Sequence, residues 1–442
     1  MKKISIVGCG FVGLCLAVVA AKRNSHVIAV DTNLNKIELI NSGKSPFFEP
    51  NISEYLEKTL HNNLVVTNDI FDAVNNSDIT FVSVGTPPNS DGTANLDFIK
   101  SAVEQIGKSL KNKKSYHLVV IKSTIPPTTT NKILKPILEN SSGKDSSLIG
   151  LSMNPEFLRE GSAIIDTEKP HLIVIGHNDE KSKITLQAYY ENLYNNFNPE
   201  FLECSIETAE LIKYSNNAFL ATKISFINSI ANICQKIPGT NVQDIANAIG
   251  KDPRIGSLFL NAGPGYGGSC FPKDVNAFID FSRQLGYEPV LFQATKDVND
   301  LQVHSVIELI NSKLETLENK TISILGLSFK KDTDDIRESV SIKLINELLK
   351  FSVKVKVHDP MAIEISKQLF GEKIFCSSSV KECLNESDCC VVMTDWDDYK
   401  NLNESEFFEM KNKLVFDTRR IFKKSNFKTV KLFSLGVNDE SK

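Results

Sequence analysis

A cysteine in a glycine-rich stretch is the residue of this chain best suited to covalent chemistry. Cys270 lies in GPGYGGSCFPKD, residues 263–274, where four glycines precede it and Lys273 and Asp274 follow. Glycines this dense let the backbone take positive φ and approach a ligand closely. A cysteine held beside a lysine can have a lowered pKa, and the thiolate is the reactive form. The alternative is a glycine-rich turn around a buried thiol, and the stretch alone does not decide between them.

Two carboxylates lie together in SMNPEFLREGSAI, residues 152–164. Glu156 and Glu160 are four residues apart, so they share a face in a helical turn but not in an extended loop. Either can serve as a general base or hold a water molecule. A solvated acidic loop is the alternative, although Phe157 and Leu158 between them indicate partial burial.

A long helix is predicted over residues 205–236, and it carries a polar cluster. It is too long for an ordinary crossover helix and too polar for a membrane span, so we expect a spine between two lobes. Lys213 and Asn217 lie one turn apart on it. Ser215-Asn216-Asn217 disfavours a helix centre, and such exceptions are expected at functional positions. Downstream, Arg254 is a candidate fork for a phosphate or carboxylate.

The N-terminus predicts a dinucleotide site. A buried strand from Ile4 to Val7 leads into GCGFVG, residues 8–13, then a helical run and a second strand ending at Asp31. The glycines suit a tight turn, close approach to a pyrophosphate and helix packing, with the helix N-terminus facing the phosphates. Asp31 favours NAD because it can accept bonds from both ribose hydroxyls, although the nearby Lys36 could tolerate a 2′-phosphate.

Two further strands end in turns rich in threonine and proline. DITFVSVGTPP, residues 78–88, contains Thr86, and HLVVIKSTIPP, residues 117–127, contains Thr124. Ligands of open parallel sheets lie beyond the carboxyl ends of the strands, so we place both threonines against the cofactor. Ordinary turn chemistry is the alternative explanation.

A second α/β unit is predicted from residue 320 onward. Its first strand, KTISILGLSF, contains Gly326, which supplies only part of a glycine fingerprint. We therefore expect a Rossmann-like sheet that binds a nucleotide differently or not at all. The charged stretch 330–339 reads as a solvated loop. Arg419-Arg420 are expected to end the last strand, and the tail after Val437 is expected to be disordered.

The totals set limits on the fold and the partners. A chain of 442 residues with 41% hydrophobic and 24% charged residues is a globular protein of two or three domains. We divide it into an NAD-binding domain (1–204), a central helical domain with the cysteine loop (205–310) and a C-terminal Rossmann-like domain (311–442). The fold class is α/β, with two parallel-sheet domains joined by a long central helix.

Charge and cysteine usage exclude several classes of protein. A net charge of −4 gives no reason to expect nucleic-acid binding, and no apolar run is long enough to span a membrane. Nine cysteines without a disulfide framework fit a cytoplasmic protein. Cys389 and Cys390 lie in an apolar strand and lack the paired spacing of zinc ligands, so no metal is expected.

A thiol combined with NAD indicates one type of oxidation. Interconverting an alcohol and a carbonyl needs an acid or base but no thiol. When an aldehyde is oxidised further, a thiolate adds to it, hydride leaves the thiohemiacetal, and water hydrolyses the resulting thioester. Cys270 beside an NAD site therefore predicts oxidation to the level of an acid.

Nine stretches resemble the nucleotide-sugar dehydrogenases of the UDP-glucose/GDP-mannose dehydrogenase family. They occur in the family's order between residues 4 and 420, and NPEFLREG with GYGGSCFPKD is the most specific combination. The stretches are GCGFVG, SVGTPPNSDGTANL, KSTIPP, NPEFLREGSAI, the Lys213–Asn217 pair, DPRIG, GPGYGGSCFPKD, FKKDTDDIRES and FDTRR.

The resemblance implies a four-electron oxidation of a sugar's sixth carbon by two NAD, with UDP-glucose as the expected substrate. Cys270 would be the nucleophile, Glu156 the acid/base for thioester hydrolysis, and Lys213, Asn217 and Asp274 would hold the oxyanion and a water, with Thr124 as a further catalytic residue. The implied cofactor contacts are Gly8, Gly10, Phe11, Val12, Gly13, Asp31, Lys36, Thr86, Thr124, Glu160, Lys273 and Arg337.

The same resemblance implies a substrate pocket and a homodimer or higher oligomer, because the family often supplies the arginine corresponding to Arg254 from a neighbouring subunit. The implied substrate contacts are Glu156, Phe157, Leu158, Arg159, Glu160, Lys213, Asn217, Arg254, Phe259, Asn261, Gly265, Tyr266, Gly267, Lys330 and Arg419.

Two departures from the family pattern and three alternatives stay open. Thr128 stands where the family usually has glycine, so the turn is expected to avoid positive φ there. Asn51 also replaces a glycine, but asparagine tolerates the left-handed region. The alternatives are a dehydrogenase of GDP-mannose or a UDP-N-acetylhexosamine, a two-electron hydroxyacid dehydrogenase, and a nucleotide-sensing module without activity.

Overall fold

The computed structural model describes residues 3–89, 91–145 and 147–438, which form two compact units. The first unit extends to Asn216 and the second begins at Asn217. The expected division at 204 and 310 stays a prediction. Within the described residues, no helix is long and apolar enough to cross a membrane.

The first unit is built on an eight-stranded sheet whose order is β3-β2-β1-β4-β5-β6-β7-β8. All neighbouring strands are parallel except β6 and β7. The order reverses between β1 and β4, which places a ligand crevice at the carboxyl ends of these strands. The strands are β1 (Lys3–Val7), β2 (His26–Val30), β3 (Leu64–Thr67), β4 (Ile79–Val82), β5 (His117–Ile121), β6 (Ile149–Met153), β7 (Leu172–His177) and β8 (Glu200–Cys204).

Helices cover both faces of this sheet, so it has two apolar cores. Successive side chains of a strand point to opposite faces, and Phe81 of β4 enters one core while Val82 enters the other. Parallel sheets buried on both faces are apolar throughout, as these strands are. The helices are α1 (Phe11–Lys22), α2 (Leu34–Asn41), α3 (Ile52–Thr59), α4 (Ile70–Asn75), α5 (Asp97–Leu110), α6 (Lys135–Ser142), α7 (Ala163–Glu168) and α8 (Glu180–Leu193), with a π-helical turn at Thr130–Leu134.

The spine helix α9 spans Ile206–Cys234, so its prediction over 205–236 is confirmed. Its first turn is capped by Ser205, whose Oγ accepts the Thr208 N–H at 3.2 Å. The helix begins in the first unit and continues into the second, and it carries Lys213 and Asn217 one turn apart.

The second unit contains a six-stranded, wholly parallel sheet ordered β12-β11-β10-β13-β14-β15, which repeats the order of the first six strands of the first unit. The predicted fold class of two Rossmann-like parallel sheets is confirmed. The strands are β9 (Thr240–Asn241), β10 (Thr321–Leu325), β11 (Lys354–His358), β12 (Phe375–Cys376), β13 (Cys389–Val392), β14 (Leu414–Asp417), β15 (Lys431–Ser434) and β16 (Val437–Asn438).

Two helices of the second unit, α11 (Phe271–Gln284) and α12 (Val290–Leu314), are long, and they lie between α9 and β10 in the chain. The other helices are α10 (Val242–Gly250), α13 (Val340–Leu348), α14 (Ile363–Phe370), α15 (Val380–Leu384) and α16 (Asp397–Lys400), with 3-10 turns at Gly371–Lys373, Glu404–Phe407 and Lys424–Asn426.

Two expectations about the C-terminal part were wrong. Arg419 and Arg420 follow β14, which is not the last strand, because β15 adds a further parallel partner. The expected disorder after Val437 does not hold for Asn438, which pairs with Thr240 in the antiparallel ladder of β16 and β9. The remainder of that tail, residues 439–442, lies outside the described residues.

Candidate active site

The glycine fingerprint forms a cradle at the N-terminus of α1. Gly8 has φ of 102°, and a Cβ on Gly13 would lie 1.8 Å from the Gly8 carbonyl oxygen, so both positions require glycine. Gly10 is the N-cap and has no atoms within 4 Å of where a Cβ would be. The first turn, which begins with Phe11 and Val12, has no side-chain cap and no acidic residue. Its N–H groups are therefore available to a pyrophosphate, so the cradle fits a dinucleotide.

Asp31 follows β2 at the edge of this cradle. Its carboxylate accepts the N–H groups of Cys9 at 2.9 Å and Asn33 at 3.0 Å. The Lys36 ammonium donates to it at 2.9 Å. Burial raises the pKa of Asp31, but these hydrogen bonds outweigh burial and lower the pKa below its usual value. Lys36 is thus paired with Asp31, the acid that would accept hydrogen bonds from a ribose.

The threonines after β4 and β5 are in contact, as their place at the sheet's carboxyl edge suggests. Thr86 Oγ1 donates to the Thr124 carbonyl oxygen at 2.8 Å. Thr86 is buried and Thr124 is partly exposed. The bond joins the two turns into one rim beside the glycine cradle's strand.

Glu156 and Lys213 form a buried ion pair. The Lys213 Nζ lies 2.9 Å from Glu156 Oε1, and the two side chains are 4% and 8% exposed. Glu156 Oε2 also accepts the Leu158 N–H at 2.6 Å. Burial raises the pKa of Glu156, but Lys213 and this hydrogen bond lower it below the usual value. The Phe157 ring lies 5.7 Å from Lys213 Nζ and 5.6 Å from the His171 ring.

The segment that carries Glu156 is not helical, which settles the question left open by the sequence. Residues 154–159 are irregular, so Glu156 and Glu160 do not share a helical face. Glu156 is buried, whereas Glu160 is partly exposed in the following turn. Arg159 is directed to solvent, with its guanidinium paired to Asp166 at 2.7 Å.

In the second unit, side-chain amides hold the glycine stretch before Cys270. The Gly263 N–H donates to Asn228 Oδ1 at 2.8 Å, and its carbonyl accepts from Gln302 at 3.0 Å. Asn299 bonds both the N–H and the carbonyl of Tyr266, at 2.7 and 3.1 Å. These contacts fix the stretch in one conformation, which is what a binding loop requires.

Two glycines of the stretch allow close packing against the loop after β10. Gly268 has φ of 86°, and a Cβ there would lie 2.7 Å from the Phe329 ring. A Cβ on Gly267 would lie 2.3 Å from the Glu338 carbonyl oxygen. The sequence predicted a ligand as the reason for the glycines, but at these two positions protein atoms also exclude a side chain. Gly265 has φ of 117°, and a Cβ there would lie 3.0 Å from Asn299 Oδ1.

Cys270 is exposed and is the N-cap residue of α11. Its Sγ lies 3.6 Å from Ser269 Oγ, and Pro272 occupies the first turn. A helix N-terminus carries a partial positive charge, which favours an anion such as a thiolate. The alternative interpretation of a buried thiol is therefore wrong.

Asp274 contacts two other predicted site residues, Asn217 and Lys273. It is 2% exposed, and its Oδ2 accepts from Asn217 Nδ2 at 2.6 Å. Its Oδ1 accepts from Lys273 Nζ at 2.5 Å. Lys273, assigned to the cofactor by resemblance, is thus an ion-pair partner of Asp274 in this structure.

The remaining predicted substrate residues of the second unit are dispersed over several loops. The Arg254 guanidinium is exposed and forms a fork with Asp252, with an N–O distance of 2.6 Å. Phe259 has φ of 65°, and its ring lies 6.3 Å from that of Phe271. Asn261 is exposed.

The basic residues near the second sheet differ in how firmly they are held. Arg337 is exposed and forks onto Asp335 at 2.6 Å. Lys330 lies 5.6 Å from the Phe329 ring. Arg419 is held by its Nε donating to the Met393 carbonyl at 2.7 Å, and its Nη1 lies 3.0 Å from where a Gly263 Cβ would be. Arg419 therefore lies directly beside the glycine stretch.

Comparisons with known proteins agree with the fold and the arrangement of motifs. Three domain models of the UDP-glucose/GDP-mannose dehydrogenase family match this chain: the NAD binding domain at residues 2–198, the central domain at 207–301 and the UDP binding domain at 323–424. The chain belongs to the UDP-glucose/GDP-mannose dehydrogenase family. It is accordingly an NAD-dependent oxidoreductase.

Individual relatives cover nearly the whole chain. The UDP-glucose 6-dehydrogenase AglM of Haloferax volcanii is 40% identical over 95% of this chain and 97% of its own length. A UDP-glucose dehydrogenase structure from Pyrobaculum islandicum superposes with a TM-score of 0.92 at 34% identity, covering 99% and 98% of the two chains. The UDP-N-acetyl-mannosamine dehydrogenase Cap5O of Staphylococcus aureus gives 0.83 at 25% identity, covering 98% of each.

One departure from the family pattern was interpreted wrongly. Thr128 was expected to avoid positive φ, yet it has φ of 72°. Buried Glu210 of α9 compensates, since its Oε2 accepts the Thr128 N–H at 2.6 Å and its Oε1 accepts the Thr130 N–H at 2.8 Å. Burial raises the pKa of Glu210 to about 7. Asn51 has φ of 68°, which confirms the expected left-handed tolerance.

Other buried groups near the site were missed by the sequence reading. Glu49 accepts the N–H groups of Gly161 and Ala163, each at 2.7 Å, and so fixes the end of the Glu156 segment. Lys122, in KSTIPP, is buried after β5 and bonds Asn154. The signal in each case is a charged residue inside a motif, but only the structure shows its partner.

The turn after β10 in the second sheet resembles the turn after β1 in the first sheet, but a buried acid binds its backbone. The Gly326 N–H donates to the His358 carbonyl at 2.8 Å, as that of Gly8 does to Val30 at 2.7 Å. Asp359 follows β11 as Asp31 follows β2, yet it is 3% exposed and accepts from Leu327 N and Ala362 N at 2.7 and 2.9 Å. This acid is used to hold the turn. The observation supports the expectation that this sheet binds a nucleotide differently or not at all.

Proposed function

We propose that this enzyme oxidises the sixth carbon of UDP-glucose twice, giving UDP-glucuronate, with Cys270 as the nucleophile of the second oxidation. The observation that carries the proposal is an exposed cysteine at the N-terminus of α11, after an amide-braced glycine stretch, in a chain of this family. Each oxidation removes a hydride and a proton, so one sugar reduces two NAD.

The residues of the first unit suit the cofactor. The bound NAD would accept the hydride at its nicotinamide ring. The uncapped first turn of α1 would hold its pyrophosphate, Asp31 its adenosine ribose, and the rim of Thr86 and Thr124 would border it. Arg337 is a further cofactor contact that the resemblance implies.

Lys213 and Asn217 suit the first oxidation. Converting the primary alcohol to an aldehyde passes the hydroxyl proton to a water molecule as the hydride leaves the carbon, and negative charge grows on that oxygen. An ammonium and an amide one helical turn apart on α9 stabilise such charge. Asp274 accepts from Asn217 at 2.6 Å and so orients the amide that does this work.

Cys270 and Glu156 suit the second oxidation. The thiolate adds to the aldehyde carbon, and loss of hydride from the thiohemiacetal leaves a thioester on the sulfur. Water then attacks the thioester carbonyl, the carbon–sulfur bond breaks, and the acid and the thiol are released. Glu156, buried and ionised against Lys213, would take the proton from that water.

The second unit would bind the nucleotide sugar. Arg419 beside the glycine stretch, together with Lys330, offers positive charge to the pyrophosphate. Exposed Arg254 would act on a neighbouring subunit's substrate in a homodimer. We place the enzyme in the cytoplasm, in keeping with cysteines scattered without a disulfide framework.

The sugar is tested by measuring NADH release with a panel of nucleotide sugars. We expect turnover of UDP-glucose at least tenfold above that of GDP-mannose or the UDP-N-acetylhexosamines, measured as kcat/KM. Among solved structures, the 34% identity to a UDP-glucose dehydrogenase, against 25% to the mannosamine enzyme, supports the preference over UDP-N-acetylhexosamines. Turnover of another sugar without activity on UDP-glucose would overturn the assignment.

A further inference from the structure

A buried lysine at the carboxyl end of β5 has no part in the roles assigned above. Lys122 Nζ donates to Asn154 Oδ1 at 2.9 Å and to the Asn154 carbonyl at 3.4 Å. Tyr190 donates to the same Oδ1 at 2.5 Å, and Asn154 Nδ2 donates to the Val174 carbonyl at 2.7 Å. The Asn154 side chain is therefore held by hydrogen bonds to Lys122, Tyr190 and Val174. Glu156 lies two residues after it.

Lys122, Asn154 and Glu156 line one small cavity of about 60 Å³. The cavity is lined by both polar and apolar groups and has room for water molecules. Its other titratable groups are Asp166, Lys169, His171, Tyr190 and Tyr194. Lys213 adds a positive charge from α9 through its ion pair with Glu156. Glu156 thus lies near two buried ammonium groups, those of Lys122 and Lys213.

The charge on Lys122 opposes folding. Burial lowers the pKa of Lys122 to about 8, although the Glu156 carboxylate acts in the other direction. Because the pKa in the folded state lies below the ordinary value, the buried ammonium costs stability at neutral pH, and the cost fades as the pH rises toward the ordinary value. A charge kept at a cost to stability indicates a functional position.

We propose that Lys122 is a positioning residue for Glu156, fixing the segment Asn154–Glu156 and keeping the Glu156 carboxylate ionised for attack of water on the thioester. This inference rests on the proposed role of Glu156. Removing the Lys122 charge makes protonation of Glu156 easier, so hydrolysis of the thioester fails at a higher pH than in the natural enzyme. The first oxidation, which needs no base at Glu156, is left nearly unchanged.

The test compares the natural full-length enzyme with Lys122→Met, which keeps the length of the side chain and removes the charge. Rapid mixing with UDP-glucose and NAD separates the first NADH from the later steady state, and mass spectrometry detects the thioester on Cys270. In Lys122→Met we expect the acid side of the pH profile of the steady-state rate, its acid limb, to shift to higher pH by about one unit. At pH values below this shifted limb we also expect the thioester to accumulate, with the first NADH changed by less than about twofold.

Stability separates positioning from a structural role. Replacing a buried charge by an apolar side chain of similar volume is often neutral or stabilising, so Tm is expected to stay or rise by a few degrees. Lys122→Arg, which retains the charge, should restore the natural acid limb. A purely structural lysine would give a different result in Lys122→Met. Tm would fall, the first NADH and the steady-state rate would decrease equally, and the acid limb of the pH profile would not shift. If Lys122→Met does not fold, the same measurements on Lys122→Gln decide.

Two control variants distinguish this inference from the proposed function. Lys113 precedes β5, at the opposite end from Lys122, and burial lowers its pKa as well. Lys113→Met should leave the acid limb in place, and a shift equal to that of Lys122→Met would contradict the inference. Full turnover by Glu156→Gln would instead refute the role of Glu156. A stalled Glu156→Gln beside a Lys122→Met of natural pH profile would refute the Lys122 inference alone.

Discussion

At the scale of single residues, Cys270 would distinguish an acid-forming dehydrogenase from one that stops at the aldehyde. Its Sγ is exposed at the start of a 14-residue helix, where the helix dipole favours a negative charge. Asn217, Asp274 and Lys273 form a connected group of short contacts in the same unit. The structure therefore exposes Cys270 to solvent, whereas Asn217 and Asp274 are buried.

Replacing the thiol by a hydroxyl tests this role. Cys270→Ser is expected to lower formation of UDP-glucuronate by at least about 10³-fold, because an unactivated serine is a far weaker nucleophile than a thiolate. Binding of UDP-glucose, measured by calorimetry, should change by less than about threefold. The matched control is Cys204→Ser, at a partly buried cysteine of β8, which should retain natural activity. Full acid formation by Cys270→Ser would contradict the mechanism.

At the scale of elements, buried carboxylates connect segments that are distant in the chain. Glu210 of α9 holds the turn at Thr128 and Thr130, and Glu49 holds the turn at Gly161 and Ala163. Each acid accepts two backbone N–H groups, which satisfies donors that the irregular backbone leaves over. The loops that carry Thr124 and Glu156 are thus fixed from outside their own sequence.

Thr128 is the element-scale position where a substitution should raise stability. A β-branched residue at φ of 72° is strained, so Thr128→Gly is expected to raise the free energy of unfolding by about 0.5–1 kcal/mol. The bond from its N–H to Glu210 is unaffected by the change. Chemical denaturation monitored by circular dichroism measures the difference.

The neighbouring threonine provides the control. Thr129 has φ of −60° in the right-handed region and is buried, so Thr129→Gly is expected to lower the free energy of unfolding by about 1 kcal/mol. Equal destabilisation by the two glycine variants would show that the left-handed backbone at Thr128 carries no strain.

Features that depend on nearby residues could be predicted from the sequence. The glycine fingerprint, Asp31 and the bounds of α9 follow from local spacing and periodicity, and the structure places them within two residues of expectation. Long-range pairings could not be predicted. The bond from Glu210 to Thr128 joins residues 82 apart, and the positive φ of Thr128 is tolerable only with such support.

The same limit explains the parts of the site that were missed. The sequence identifies Lys122 only as part of KSTIPP, because its partner Asn154 lies 32 residues away, directly after β6. Strand β15 was missed because the stretch around Lys431–Ser434 is short and only partly buried. Gly267 and Gly268 were predicted as glycines for a ligand, but packing against Glu338 and Phe329 also requires them.

At the scale of the whole molecule, α9 presents an apolar stripe to solvent. Phe219, Phe226 and Ile233, spaced by seven residues, are 65%, 50% and 52% exposed. Side chains seven apart lie on one helix face, and an exposed apolar stripe marks an interaction surface. A second copy of the chain is the partner that the proposed homodimer requires.

Charging the stripe tests the homodimer. Phe226→Glu is expected to convert the dimer to a monomer at micromolar concentration, measured by light scattering after size exclusion, because a dimer would bury the new carboxylate. Leu369→Glu, at a 57% exposed position on α14, is the control and should leave the mass unchanged. A natural enzyme that is monomeric at all concentrations would contradict the homodimer.

The proposed oxidation of UDP-glucose to the acid through Cys270 is tested most directly by product stoichiometry. Limiting UDP-glucose is consumed completely with excess NAD, NADH is measured by absorbance, and the sugar product is identified by mass spectrometry. The proposed mechanism predicts two NADH and one UDP-glucuronate for each UDP-glucose. One NADH for each sugar, with the aldehyde as the final product, would contradict it.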